Sequence, residues 1–246
     1  MRPLSLIINA DDLGYDPAVT RGILQALREG VVSSTTLMVN MPHSAAAARE
    51  ARGLAVGLHL NLARAPPAWA RFPPSLLEGG ALSEARAGQL PAEVVEAEAL
   101  AQLARLEALV GQSATHVDVH KHLHRHPQVL EGLAAAARAW GLPVRSIDTG
   151  MREALRARGV ATNDAFLGDA GDEAYWTLPR LEAALTRLPP HGVVELMCHP
   201  GYRPETLASG YAAQREVELA TFLSPLARQA LARAGCVPTD FRVLGR

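Results

Sequence analysis

The sequence predicts an α/β protein, a single-domain (β/α) barrel over residues 1–246, and three observations lead there. Short apolar runs alternate with helical patterns along the chain, giving seven or eight β/α units in about 250 residues, the content of a (β/α) barrel. The turn after the first strand reads Asn9-Ala10-Asp11-Asp12-Leu13-Gly14, without the glycine-rich phosphate loop that marks the rival doubly wound sheet. Polar residues of unusual type cluster at the carboxyl ends of the expected strands, which in a barrel converge on the active-site face.

The elements follow in order. Residues 4–10 (LSLIINA) read as a buried strand, and Asp16-Pro17 caps a helix that runs to about Glu29 and stops at Gly30. A second strand, 35–40, precedes an alanine-rich helix to about Arg52, and 54–62 (LAVGLHLNL) is a third strand. Residues 63–91 are rich in proline and arginine and read as a long loop, a length that is usually functional or mobile. A helix from Pro91 to about Val110 ends at Gly111. The second half repeats the alternation: strand 115–120, a helix from Pro127 to Gly141, strand 143–148 and a short helix 151–158. Then come a weak strand at 165–167, a helix from Thr177 to about Leu188 and strand 192–199. Two helices follow, the second opened by Ser224-Pro225, and FRVL (241–244) reads as a last strand.

Composition excludes several classes. With 48% hydrophobic and 20% charged residues and a net charge of −1, the chain is neither disordered nor a basic binder of nucleic acid or anionic membrane. Cys198 and Cys236 make no disulfide framework and no zinc finger. No apolar run approaches the roughly 20 residues of a membrane span, and the N-terminus lacks a signal peptide's apolar region. A cytoplasmic location is expected.

Asp11 and Asp12 close an apolar strand, where a carboxylate is costly unless paired or bound to a cation. A helix-capping turn would explain one aspartate but not two. His59 follows the third strand's apolar start, and taken alone it could equally be a core histidine bonded to backbone. The segment THVDVHKHLHRHP (115–127) holds five histidines; by strand alternation His116, Asp118 and His120 share one face. His122 and His124, past the strand, are expected to line the pocket, and His126 to cap the next helix. His199 sits at a strand end that Pro200-Gly201 forces to turn, and Cys198 should face the core. Arg145 and Glu195 lie within expected inner strands, where a buried charge demands a partner.

IINADDLG, SSTTLMVN, GLHLNL, THVDVHKHLH and ELMCHPG together resemble the YdjC-like carbohydrate deacetylase family, which includes chitooligosaccharide deacetylases and hopanoid-biosynthesis-associated relatives. Each motif alone is weak, but five in the family's order are specific. The resemblance implies an irregular seven-stranded barrel related to polysaccharide deacetylases, one divalent metal ion (Mg²⁺ or Zn²⁺), and removal of acetyl groups from N-acetylated sugars. It implies Asp12, His59 and His120 as metal ligands, Asp11 as general base and His199 as general acid. Asn61, His122, His124, Arg145 and Glu195 are the expected substrate-binding or supporting residues. The short, arginine- and proline-rich segment between Gly57 and Thr115 departs from the family, where this region shapes the substrate cleft. Chemistry agrees with these roles: three mixed N/O ligands leave a coordination position open, and amide hydrolysis needs a base, a Lewis acid and a proton for the leaving amine. A metal-dependent phosphoesterase on a similar barrel and an inactive sugar- or metal-binding barrel are the alternatives. The expected partner is a small carbohydrate, with a homodimer as a further expectation.

Overall fold

The computed structural model describes residues 3–245. Its sheet is built around β1 (Ser5–Leu13), flanked by β2 (Ser34–Leu37) and β6 (Val193–Cys198). β3 (Val56–Leu60) and β4 (Val117–Val119) extend it beyond β2, and β5 (Ala165–Leu167) beyond β6, in the order β4-β3-β2-β1-β6-β5. Every pairing is parallel. The short β7 (Pro238–Thr239) adds to the start of β1 through Leu6 and Ile7. Helices α1 (Pro17–Glu29), α2 (Ser44–Glu50), α3 (Ala92–Val110) and α4 (Pro127–Trp140) follow the first four strands. α5 (Thr149–Ala157), α6 (Leu178–Leu185), α7 (Ala213–Leu223) and α8 (Pro225–Arg233) complete the outer layer.

The curled sheet has two unlike faces because strand residues alternate. Leu6, Ile8 and Ala10 of β1, Leu58 and Leu60 of β3, and Val194, Leu196 and Cys198 of β6 turn outward into the main apolar core under the helices. Cys198 therefore packs as its sequence position implied. The inward face is polar in its middle and upper part. At its base, Ile7, Val193 and Phe241 form a separate apolar cluster, and His116 stacks flat on Phe241 at 3.7 Å. Gly57 makes room for that ring: a Cβ there would lie 2.4 Å from His116 Nδ1. His116 thus shares the inward face with Asp118 and His120 but plugs the barrel floor and does not line the cleft.

Four expectations need correction. Residues 143–148 are not a full strand: only Val144 bridges Val117. Pro143 lacks an N–H, Asp148 is drawn off to cap α5 through Met151 N at 2.8 Å, and Asn163's side chain takes the N–H and C=O of Ser146. The segment still joins β4 to the chain before β5, through Arg145 N to Val117 O and Val144 N to Ala161 O. FRVL is a 3-10 turn (Phe241–Gly245), because Phe241 inserts into the barrel floor instead of pairing. His126 precedes α4 but makes no side-chain cap bond; its ring packs against Gly88 instead. The 63–91 segment is anchored, not free: Glu98 of α3 accepts from Ala68 N and Trp69 N at 2.8 Å each, and Phe72, Leu82 and Ala87 are buried.

Candidate active site

A backbone irregularity at the end of β1 prepares the site. The β1–β2 register shifts between Ala10 and Leu13, and Asp12 adopts φ +72°, a left-handed conformation that aspartate tolerates better than most residues. Neighbours in a regular strand face opposite sides; this turn instead lets both Asp11 and Asp12 line one cleft of about 530 Å³. His59, His120, His122 and His199, from the ends of β3, β4 and β6, line it too.

Asp12, His59 and His120 converge. Asp12 Oδ1 lies 3.2 Å from His59 Nε2 and 3.1 Å from His120 Nδ1, and the two ring nitrogens are 3.2 Å apart. His59 Nδ1 pairs with Asp118 Oδ1 at 2.6 Å, which sets its tautomer and leaves Nε2 to face Asp12. Asp12 Oδ1 has no hydrogen-bond partner among the described residues. An orphaned buried carboxylate oxygen meeting two imidazole nitrogens is a donor set for a divalent cation, and the residues present fit one. Burial alone would lower the His59 pKa, but Asp118, Asp12 and Asp11 raise it to about 10, whereas burial keeps that of His120 below the usual histidine value.

Asp11, His59 and Asp118 also approach one another, yet a cation already lies between those carboxylates. Arg145 Nη1 is 2.7 Å from Asp11 Oδ2 and 2.9 Å from Asp118 Oδ2, and its Nη2 is 2.6 Å from Glu195 Oε1. The buried charges of Arg145 and Glu195 are thus partners of each other, and Arg145 also meets the carboxylates of Asp11 and Asp118. Burial would raise the Asp11 pKa, but Arg145 holds the carboxyl well below the usual carboxylate range. Asp11 Oδ1 accepts from both Arg145 and Asn9, whereas Oδ2 accepts only from Arg145. Oδ2 therefore keeps a lone pair for a proton. Burial pushes Glu195 up to about 7.

His199 is held by its backbone N–H, which donates to Glu218 Oε2 at 2.6 Å, and its ring meets Tyr211 edge-on. Burial lowers its pKa to about 4, so the ring is neutral near pH 7. His122 and His124 do not join the cation donors. They meet each other edge-on, His122 also against Phe166, and burial pushes both pKa values down, that of His124 to about 3. Asn61 is buried behind the cleft, where its amide bonds Asn40, Ala63 N and Arg64 O. It shapes the path of the loop that carries Arg64 into the cleft.

Sequence reasoning missed Arg215, Tyr15, Arg64 and Tyr211, all lining the cleft. Arg215 reaches Asp12 across 203 positions from a helix that reads as an ordinary polar surface. Asp118 was within reach, since alternation places it on the face of His120.

Comparison with known proteins bears on this geometry. The family described as YdjC-like protein matches residues 5–233. A chitooligosaccharide deacetylase of Serratia marcescens is 37% identical, the alignment covering 97% of this chain and 98% of the relative. A carbohydrate deacetylase of Geobacillus stearothermophilus is 36% identical, with 98% of each covered. Among solved structures, one from Enterococcus faecalis V583, described as a proposed cellobiose-phosphate cleavage protein, superposes with a TM-score of 0.86 at 28% identity over 99% of both chains. The Xyl-CE4 domain of a xylanase from a termite hindgut metagenome (Trinervitermes trinervoides) shares the fold at TM-score 0.55 and 12% identity, covering 99% of this chain and 90% of that one.

Proposed function

The chain belongs to the YdjC-like family, and from that premise we propose that it is a carbohydrate deacetylase hydrolysing the N-acetyl group of an amino sugar or amino-sugar conjugate. The observation that carries the reading is one cleft holding three unlike parts: the Asp12, His59 and His120 donor set, an ionised Asp11 and an unprotonated His199. When bound, a divalent cation supplies Lewis acidity toward the acetyl oxygen and the attacking water. Two imidazoles and one carboxylate suit zinc and similar metals better than magnesium, which prefers oxygen. Asp11 takes the proton of the attacking water at Oδ2, while Arg145 keeps the carboxylate oriented and ionised. His199, neutral at rest, carries to the leaving amine the proton that the attacking water gives up to Asp11, so that Asp11 ends ionised and His199 neutral as they began. A phosphoesterase needing several metals is disfavoured, because Arg145 already fills the space between Asp11 and Asp118. The same reading carries a cytoplasmic location, in keeping with two unpaired thiols, and a homodimer.

The test is acetate release by the purified chain from N-acetylglucosamine, its short β-1,4 oligomers and N-acetylated glycolipids, with zinc, cobalt, manganese or magnesium supplied in turn. Cation-dependent acetate from at least one substrate is expected. No acetate from any substrate with any of these cations would remove the deacetylase reading.

A further inference from the structure

Arg215 enters the site from α7, which carries none of the motifs that stand out in the sequence. Its Nη2 lies 2.5 Å from Asp12 Oδ2, while Asp12 Oδ1 faces His59 and His120. The two oxygens of one carboxylate thus have separate partners. A carboxylate can hold a cation through one oxygen or both; a guanidinium seated on Oδ2 leaves only Oδ1.

Arg215 is only 3% exposed, yet its Nε and Nη1 have no hydrogen-bond partner among the described residues. A buried guanidinium serving stability alone is expected to satisfy its donors. Here the side chain lines the cleft beside His199, with its charge 5.6 Å from the centre of the Tyr15 ring. The loop leaving His199 is tied to the same residue, since Gly201 N donates to Arg215 O at 3.2 Å. Two unsatisfied donors beside the cation locus are placed to meet a ligand's acceptor oxygens.

We propose that Arg215 positions Asp12 as a single-oxygen ligand and offers its two unpartnered nitrogens, Nε and Nη1, to acceptor oxygens of the bound sugar. Only the sugar contact rests on the deacetylase reading; the hold on Asp12 stands apart from it.

The experiment compares wild type, Arg215→Met and Arg215→Lys. Zn²⁺ alone is titrated by calorimetry, the zinc coordination is read by X-ray absorption, and acetate release gives KM and kcat. In Arg215→Met, Zn²⁺ binding should weaken about 10–100-fold, the usual effect of removing a partner of a metal ligand, and zinc should gain an oxygen neighbour. Arg215→Lys keeps one cation for Oδ2, so it should recover most of the Zn²⁺ affinity while KM stays raised for want of the other donors. Unchanged Zn²⁺ affinity and coordination in Arg215→Met overturns the positioning role. A wild-type KM in Arg215→Lys overturns the sugar contact. If Arg215→Met does not fold by circular dichroism, Arg215→Gln, which removes the charge and keeps one NH₂ donor group, is read by the same criteria. If wild type itself releases no acetate, the deacetylase reading fails while the zinc measurements still decide the hold on Asp12.

Discussion

Between Asp11 and Asp12 the chain passes into a left-handed residue, so that one carboxylate meets Arg145 and the next meets Arg215. The neighbours therefore fall to different chemistry. In Asp12→Asn a neutral amide replaces the orphaned oxygen, and metal should be lost. In Asp11→Asn metal should stay, while turnover falls by about 10²–10⁴-fold, the usual share of general acid–base catalysis. Metal content and turnover on the two folded variants decide it. The reverse pattern would exchange the roles, and near-normal turnover in Asp11→Asn would remove the base. Adjacent aspartates closing an apolar strand mark the place in sequence. The left-handed turn that makes both useful does not show there, because aspartate adopts it without a glycine to signal it.

Asp16 shows how a capping residue can govern a neighbouring element. Its carboxylate caps α1 through Ala18 N at 2.8 Å, and it also accepts from Thr206 N and Thr206 Oγ1 at 2.8 and 2.7 Å. One side chain thereby fixes both the start of α1 and the loop between β6 and α7. Burial would raise its pKa, but the donors of Thr206, Glu205 and Ala18 hold it below the usual carboxylate value. A lowered folded pKa contributes stability above the unfolded value of about 3.9, and that contribution fades as pH falls through the folded value. Asp16→Ala should thus cost about 0.5–2 kcal/mol at pH 7, and the gap to wild type should narrow below about pH 4. Urea unfolding at pH 7 and pH 3 measures it, and an equal gap at both would assign the effect to packing alone. The cap itself was legible, since Asp-Pro at a helix start has a local cause. Its second set of bonds was not, because Thr206 lies 190 positions away.

At the scale of the molecule, the parallel sheet and its outward apolar face follow from period-two patterning, and the site from polar residues at strand ends. What stayed hidden is mostly long-range. Residues 143–148 lose their strand because an asparagine side chain from position 163 takes their bonds, and FRVL leaves the sheet because the barrel floor needs a filler. Neither cause is local, so no window of sequence contains it.

The polar barrel interior has one further consequence. Asp11, Asp12, Asp118 and Glu195 are buried against the guanidiniums of Arg145 and Arg215. Four carboxylates facing two guanidiniums leave two formal negative charges at the base of the cleft. One divalent cation at Asp12, His59 and His120 neutralises that excess. Without it, protons must, on His59 with its pKa near 10 and on Glu195 with its pKa near 7. Metal and hydrogen ions therefore compete for one electrostatic vacancy, and folding is linked to both. The melting temperature of wild type should climb with added zinc, each tenfold excess over Kd adding about 1.4 kcal/mol. The climb should begin at lower zinc concentration at pH 8 than at pH 6, and Asp12→Asn should show little of it. The metal would then act as a structural counter-ion as well as a reagent, and scarcity of it would lower the amount of folded protein before it limited the rate.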